Sequence, residues 1–598
     1  MSKDKSSIFS PAVSFKNLFK KPETIQVPKE SKKTSCNYRG FHINDLDKCI
    51  GCGTCAEICD NKAIEMVKLS DVKTELGQRD ERPKIDYGRC CWCGLCVDVC
   101  TTGSLEFTQD YTYINSDADT FSYIPDNKDI NKIEFEVGYQ RDENSELLDL
   151  NRVDMPELES GKRVKSFVEI VKGFSKEQAE KEASRCVECD ICTEACPAHM
   201  NIPEYIRGIF DDDLDESLKQ IYEDNPLPEV CGRICTHKCE TICSIGHRGE
   251  AVSIRWLKRY AVDNVNSAEY KKILGTQKID QVDKKVAIIG SGPSGLSAAH
   301  YLRLMGYDIT IFEAEEKAGG MMRYGIPEYR LPYDMLDKDI DYIKSLGVNF
   351  KFNIRVGEDI KLSEIEDKYD AVFAATGLHN GRSTRIPGTD NNNVYQAIYL
   401  LKKITRGEKL PLTERIVVIG GGNVAMDIAR SLARLQKQEF GKVNVLVTSL
   451  ESEDIMPADE EEIIEAREEG VRFEPGRGPK EIKVNEDGSI AQLCTNCCVS
   501  VFDEEMNFNP SFDDEDIKNF DCDMVVEAIG QAGDNSYIDD KYDIEYEGPR
   551  IKVNEKQQTS IPWLFAGGDI VQGPDVITGI KTGHDAAIGI DDYLNENQ

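Results

Sequence analysis

The 598-residue chain has no run of the ~18 apolar residues that a helix needs to cross a bilayer. Its opening, MSKDKSSIFSPAVSFKNLFKK, has neither an apolar core nor a small-residue cleavage site. The first absence excludes a membrane span and the second a secretory signal peptide, so the expected location is cytoplasmic. Positive charge is scarce: 73 Lys and Arg stand against 108 Asp and Glu, a net charge of −35. A surface this acidic repels phosphate backbones, which excludes nucleic acid as a partner. No Ser, Cys or His constellation for hydrolysis or acyl transfer stands out. At about 150 residues per domain, the length predicts about four domains. With 40% apolar and 30% charged residues, the composition fits a soluble globular protein able to bury several cores.

What is abundant is cysteine. Of 22 cysteines, 16 fall into four tight groups of four. Clustered thiols in a reducing cytosol point to metal. The first group is CIGCGTCAEIC, Cys49, Cys52, Cys55 and Cys59, and the second is CCWCGLCVDVC, Cys90, Cys93, Cys96 and Cys100. Both read C-x2-C-x2-C-x3-C. Three thiolates on a tight loop grip three irons of a cube, and the fourth reaches the other cube, as in two-cluster ferredoxins. The expected ligand sets are Cys49, Cys52, Cys55 and Cys100 for one cluster, and Cys90, Cys93, Cys96 and Cys59 for the other. Zinc would prefer two CxxC pairs with a longer spacer. The third group is Cys186, Cys189, Cys192 and Cys196, and the fourth is Cys231, Cys235, Cys239 and Cys243. Cys91 is read as a bystander. Cys494, Cys497 and Cys498, in CTNCC, have no obvious partner pair and are read as structural or incidental thiols.

The chain divides as follows. Residues 1–40 form a basic arm with Lys3, Lys5, Lys16, Lys20, Lys21, Lys29, Lys32, Lys33 and Arg39. It is read either as a solvated tail or, through Val13, Phe15, Leu18 and Phe19, as a short amphipathic helix docking on a partner or a membrane surface. Residues 41–113 form a two-[4Fe-4S] domain, 114–150 a linker, and 151–275 a helical domain with the other two cysteine groups. From residue 284 an apolar strand, a glycine turn and a helix alternate, and the pattern recurs at 415–436. The expected fold is multidomain: a ferredoxin-like α+β part, a helical iron–sulfur part, and two interleaved Rossmann-like α/β domains. These are FAD-binding (284–385 and 525–598) and NAD(H)-binding (386–524).

In KKVAIIGSGPSGLSAAHYL, Gly290, Gly292 and Gly295 lie between a strand and a helix. Such glycines let the backbone approach a pyrophosphate, and the helix N-terminus stabilises its charge. The next strand ends at Glu313, 23 residues after Gly290, which suits a ribose hydroxyl. The second fingerprint, RIVVIGGGNVAMDIARSL, offers Gly420, Gly422, Asn423, Val424 and Ala425. The acidic run Asp459, Glu460, Glu461 and Glu462 is read as a solvated helix face.

Three resemblances extend this reading. YRGFHINDLDKCIGCGTCAEIC with RPKIDYGRCCWCGLCVDVCTTGSLEFTQDY resembles the two-cluster subunit of respiratory complex I and its hydrogenase relatives. Asp60 and Thr101 stand where ferredoxins usually place proline, which removes no ligand. That resemblance implies a docked redox partner. FVEIVKGFSKEQAEKEASRC, RCVECDICTEACPAHMNIP and NPLPEVCGRIC resemble the glutamate synthase small-subunit family, which includes dihydropyrimidine dehydrogenase and the NADH-dependent ferredoxin:NADP oxidoreductase large subunit. By position, this implies that Cys186, Cys189, Cys192 and Cys243 hold one cluster, and Cys196, Cys235 and Cys239 another. The fourth ligand of the latter is often a Glu or Gln after a Leu. Here Leu257 and Lys258 stand there, and a protonated lysine cannot ligate iron, so either Cys231 or another group completes the site. His199 and His237 nearby are read as structural. GGMMRYGIPEYRLP from Gly319, AATG at 374–377 and LFAGGDIVQGPDVITGIKTGHDAA resemble FAD-binding pieces. They point to Gly320, Thr376, Gly377, Gly568 and Asp569, the last as the aspartate that bonds the ribityl chain.

The second fingerprint resembles the nicotinamide domain of two-dinucleotide flavoproteins. NADP-specific members place two arginines a few residues before "MPA"; here Leu450 and Glu451 occupy those positions. Glu451 repels a 2′-phosphate and suits a free 2′-hydroxyl, so NADH is expected over NADPH. Pyridine nucleotide delivers two electrons, a cluster takes one, and a flavin handles both. The expected protein is an NAD(H)-linked FAD oxidoreductase subunit that passes electrons through four [4Fe-4S] clusters to or from a partner redox subunit or ferredoxin. The transhydrogenase relative adds bifurcation at the FAD as a further option. The alternatives are the small subunit of a glutamate synthase and a non-catalytic interaction module.

Overall fold

A computed structural model describes residues 15–27, 29–30, 32–126, 136–539 and 541–596. The chain forms two compact units. The first comprises residues up to Asn151 together with Val187–Ile191 and Cys243–Glu250. Lys3, Lys5 and Val13 of the basic arm lie outside the described residues. The arm's described start is a single 3-10 turn, Phe15–Phe19, with Phe15, Leu18 and Phe19 exposed.

In the first unit, His42–Asn44 pairs antiparallel with Leu105–Phe107, and Ile64–Lys68 with Glu81–Asp86. Each strand pair flanks a short helix, Thr54–Glu57 or Leu95–Asp98. Gly53 (φ 79°) and Gly94 (φ 95°) precede these helices in the left-handed region, which glycine enters without strain. Ile64, Ile85, Tyr87, Val97, Leu105 and Phe107 form the core between the cysteine loops. Of residues 114–150, expected as a linker, the described parts 114–126 and 136–150 strap this core. Ser122–Tyr123 adds a strand beside Ile85 and Asp86, the Tyr139 hydroxyl donates to Asp98 (2.9 Å), and Arg141 donates to the carbonyls of Val97 and Asp98. Aromatic burial and carbonyl capping, not periodicity, hold the strap, so no pattern announced it.

The second unit begins with helices. One of them, α1 (Ile254–Asp263), is buried over nearly its whole length. Its start is satisfied by carboxylates from other helices: Ser253 N donates to Glu182 and Arg255 N to Glu240 (2.8 Å each). Two parallel sheets follow. The first is ordered Leu564–Ala566, Ala371–Ala374, Lys285–Ile289, Asp308–Phe312, Asn349–Lys351. It packs against α2 (Pro293–Leu304). The second is ordered Val394–Gln396, Met524–Glu527, Ile416–Ile419, Val445–Thr448, Arg472–Glu474. It packs against α3 (Asn423–Phe440) and α4 (Glu460–Glu468), and α5 (Val576–Glu596) closes the chain against α2.

Two expectations shift. The limit placed at 525 falls inside a strand: Met524–Glu527 hydrogen-bonds to Ile416–Ile419 and so belongs to the second sheet. The chain passes between the sheets at Asn380–Gly381 and Gln531–Ala532, which pair antiparallel. Of the acidic run opening α4, Glu460 and Glu461 are exposed as expected, but Glu462 turns inward. Glu462 is 7% exposed and pairs with Arg330 (2.7 Å) and Arg430, and Glu469 receives Arg430 and Arg434. Arg163, from the helical region, also reaches Glu465, Glu468 and Glu469.

Candidate functional site

The two N-terminal loops bring their thiols together in two fours. Cys55 is pushed well above the ordinary thiol range by burial, then by Cys52, Cys100 and Cys49, and by Cys96 of the other loop. Cys96 is raised by burial, then by Cys90, Cys93 and Cys59. Burial also raises Cys100, but hydrogen bonds from Leu105 N and from Ser104 and Thr102 leave it below its ordinary value. Sulfur acceptors meet donors elsewhere: Ala63 N with Cys59 (3.3 Å), Trp92 N with Cys90 (3.4 Å), and the Thr54 hydroxyl with Cys52 (3.3 Å). His42, held neutral with a pKa lowered to about 3 by burial, bridges the Tyr87 hydroxyl and Cys96 Sγ (3.4 Å). No motif signals His42. Cys93 and the bystander Cys91 are exposed.

Within the same unit, Cys189 lies near Cys243, with Ser244 Oγ 3.2 Å from Cys189 Sγ, and Cys52 of the first loop senses the Cys189 charge. Arg79 donates to the Cys189 carbonyl (3.1 Å), and Arg248 to that of Cys100 (3.2 Å). Cys186 and Cys192 belong to the second unit.

The second unit also gathers Cys196, Cys231, Cys235 and Cys239. The helix Pro228–Ile234 lies directly on α1: a Cβ on Gly232 would come 2.9 Å from Arg259 Cα. That approach sets Cys231 and Cys235 beside Lys258, whose surroundings include all four thiols. Tyr205, fully buried, sits among Cys239, Cys192 and Cys196. Lys238, next to Cys239, pairs with Asp575 (3.5 Å) at the start of α5. His199 and His237 adopt left-handed backbone (φ 50° and 39°), and His237 approaches Glu240 rather than a thiol (3.8 Å). A zinc ion needs its ligand atoms within about 2.3 Å. Among the described residues, no three His, Cys, Asp or Glu side chains converge on a single ion. Neighbouring thiols with N–H donors at the sulfurs of Cys59 and Cys90 suit a multi-iron cube.

The first dinucleotide loop is open where a pyrophosphate would lie. A Cβ on Gly292 would meet nothing within 4 Å, and Pro293 opens α2 directly behind it. Gly295 has no such freedom, since a Cβ there would sit 2.1 Å from the Gly290 carbonyl oxygen. Glu313 (6% exposed) accepts from Ser291 N (3.0 Å), so its carboxylate stands at the loop. Gly320 touches Gly292 across the loop, while Thr376 and Gly377 follow the neighbouring strand Ala371–Ala374. Gly568 N donates to Thr582 Oγ1 (2.9 Å), and burial followed by Asp575 raises Asp569 to about 6. These features fit an FAD.

The second loop repeats the arrangement. Gly422 faces open space, and Asn423, Val424 and Ala425 begin α3. Asn423 exchanges two hydrogen bonds with Asp459 (2.8 and 2.9 Å). The Glu451 carboxylate stands over the turn: a Cβ on Gly421 would be 2.9 Å from Glu451 Oε2. Its backbone carbonyl is fixed by Gly476 N (2.8 Å) and Ser449 Oγ (2.9 Å). Cys494, Cys497 and Cys498 lie in the strand Ile490–Phe502 of an antiparallel insert, with Cys494 in the core and all three free.

Two interleaved parallel sheets, each with a glycine loop at a helix start, joined to clustered cysteines, define a flavin-dependent iron–sulfur oxidoreductase. Residues 284–587 match the pyridine nucleotide-disulphide oxidoreductase family, 163–270 the dihydropyrimidine dehydrogenase domain II with its 4Fe-4S cluster, and 48–104 the 4Fe-4S dicluster domain. The chain belongs to the pyridine nucleotide-disulphide oxidoreductase family, in the branch that contains the glutamate synthase small chains. The Escherichia coli glutamate synthase [NADPH] small chain is 32% identical over 483 residues, 75% of this chain and 98% of that one. The β subunit of Moorella thermoacetica NADP(+)-dependent formate dehydrogenase is 37% identical over 429 residues, 68% of this chain but 60% of its own length. Mycobacterium tuberculosis FprA in complex with NADPH is similar at 19% identity and a TM-score of 0.46, over 52% of this chain and 85% of that one. Among the described residues no helix is long and apolar enough to cross a membrane.

Proposed function

We propose that this chain is the NAD(H)-linked electron-transfer subunit of a larger redox enzyme. When bound, FAD exchanges a hydride with nicotinamide and single electrons with iron–sulfur clusters. The loop from Gly290 to Gly295, with Glu313 and Asp569, holds that FAD. The loop from Gly420 to Ala425, with Glu451, holds the pyridine nucleotide. The sixteen grouped cysteines hold four [4Fe-4S] clusters. One observation carries the reading: the Lys238–Asp575 pair (3.5 Å) ties the Cys235–Cys239 loop to the start of α5, beside the flavin-side Gly568 and Asp569. Within the second unit Tyr205 lies among Cys239, Cys192 and Cys196, and within the first Cys189 neighbours Cys52, which supports a relay inside each unit. Exposed Phe15, Leu18 and Phe19 offer the arm to a partner redox subunit, to ferredoxin, or to a membrane surface. Protein isolated without air should contain about sixteen irons and one FAD and should bleach with NADH. A colourless protein, or one holding far fewer irons, ends the proposal.

We further propose NADH as the nucleotide, although the two curated relatives described above are named for NADP(H). Glu451 beside Gly421 accepts from a 2′-hydroxyl and repels a 2′-phosphate. The expected kcat/KM favours NADH, and Glu451→Arg should move the ratio toward NADPH by about tenfold, about 1.4 kcal/mol. A wild-type preference for NADPH would refute it. A second reading, a glutamate synthase small subunit, is favoured by the nearly full-length match to the E. coli chain. Glutamate formation with a purified large subunit would establish it.

A further inference from the structure

Lys258 is 5% exposed on α1, and the hydrogen bond of its ammonium is to a sulfur, Met200 Sδ at 3.9 Å. Among the described residues no carboxylate lies within ion-pair distance of it. An ammonium in an apolar interior is costly unless an anion balances it. The groups around it are thiols: Cys235, Cys231, Cys196 and Cys239. Neutral thiols would leave the charge uncompensated. Four thiolates on a [4Fe-4S]2+ cube carry a net charge of −2, and −3 after one electron is added. Cys231 is placed to be the fourth. It is fully buried in the helix Pro228–Ile234, Cys235 is that helix's C-cap, and both thiols neighbour Lys258.

We propose that Cys231 is the fourth thiolate of this set and that Lys258 remains a protonated, non-ligating cation against the cluster sulfurs, stabilising its reduced form. The inference rests on the iron–sulfur reading above. The step is a single-electron reduction of the cube, by reduced flavin in turnover or by dithionite in a titration, with no bond made or broken and no proton moved. Lys258 attracts the −3 state more than the −2 state, so it makes this cluster easier to reduce than a neutral neighbour would. The set that adjoins the flavin side is thereby tuned as the first collector of electrons. Lys258 acts here as a positioning charge.

The test uses the full chain, purified without air, with iron and flavin assayed and the clusters titrated by dithionite under EPR. Lys258→Met should keep about sixteen irons and its flavin, while one cluster's midpoint shifts to more negative potential. Lys258→Arg should return the midpoint toward wild type. An unmoved midpoint in Lys258→Met, or the loss of four irons from both variants, overturns the role of Lys258. Wild-type protein with 15N-labelled lysine serves if the variants do not fold: pulsed EPR should find no nitrogen bonded directly to iron, and a bonded nitrogen overturns the proposal. Cys231→Ser should convert or lose one cluster, whereas an unchanged four-iron signal refutes the ligand assignment. Wild-type protein lacking the clusters altogether would instead defeat the underlying reading.

Discussion

Gly292 and Gly295 sit three residues apart in one loop, yet the protein uses their missing side chains differently. A Cβ at Gly292 meets only open space, and one at Gly295 collides with the Gly290 carbonyl. Gly292→Ala should therefore fold as the wild type does and lose FAD affinity at least tenfold, about 1.4 kcal/mol. Gly295→Ala should lose flavin and stability together; thermal melts with flavin assays separate the two. Asp569 makes a third residue-scale case. Burial and then Asp575 raise it to about 6, with Arg550 opposing. The folded state thus holds its proton more tightly than the unfolded chain, at about 3.9. The stability it contributes is full below pH 4 and is lost as pH climbs through 6. Asp569→Asn should accordingly stabilise the protein, by about 1 kcal/mol more at pH 7.5 than at pH 5.5 in thermal denaturation, while weakening flavin retention.

At the scale of elements, α4 is the instructive helix. Its sequence, EEEIIEARE, is dense in carboxylates, and such a run normally faces water. The structure buries Glu462 and Glu469 because Arg163, Arg330, Arg430 and Arg434 converge on them from three other segments. Burying charge succeeds only when partners are in place, so removing one arginine leaves carboxylates stranded. Arg430→Ala should cost about 3–5 kcal/mol, read from chemical denaturation. This helix also marks the limit of legibility. Glycine loops, strand–helix alternation and cysteine spacing are local patterns, and they disclosed both dinucleotide folds and the cysteine groups. Partners scattered from residue 163 to residue 434 leave no local trace. The same holds for the strap around Tyr139 and Arg141, and for His42 against Cys96. Lys258 was visible as a departure, but its place among four thiols depends on the helix contact at Gly232.

At the scale of the whole molecule, the chain pairs a nucleotide-binding half with cysteine groups whose cover differs. Cys196 and Cys231 are buried, whereas Cys93 is open to solvent and Cys90 partly so. A site that must hand electrons to another protein cannot be sealed, and the opening does not discriminate among oxidants. On the proposed reading, dioxygen would reach Cys93 and Cys90 of the Cys90–Cys96 loop as readily as a docked acceptor, whereas Cys96 is buried. Brief exposure to air should strip about four irons from that loop first, with the Cys231-side signal still intact by EPR; the reverse order would contradict the exposures. On the proposed reading the open edge makes rust the hazard of conduction: the gap through which the protein would deliver current is also where it would corrode, and the cell would have to keep it covered or replace what it loses.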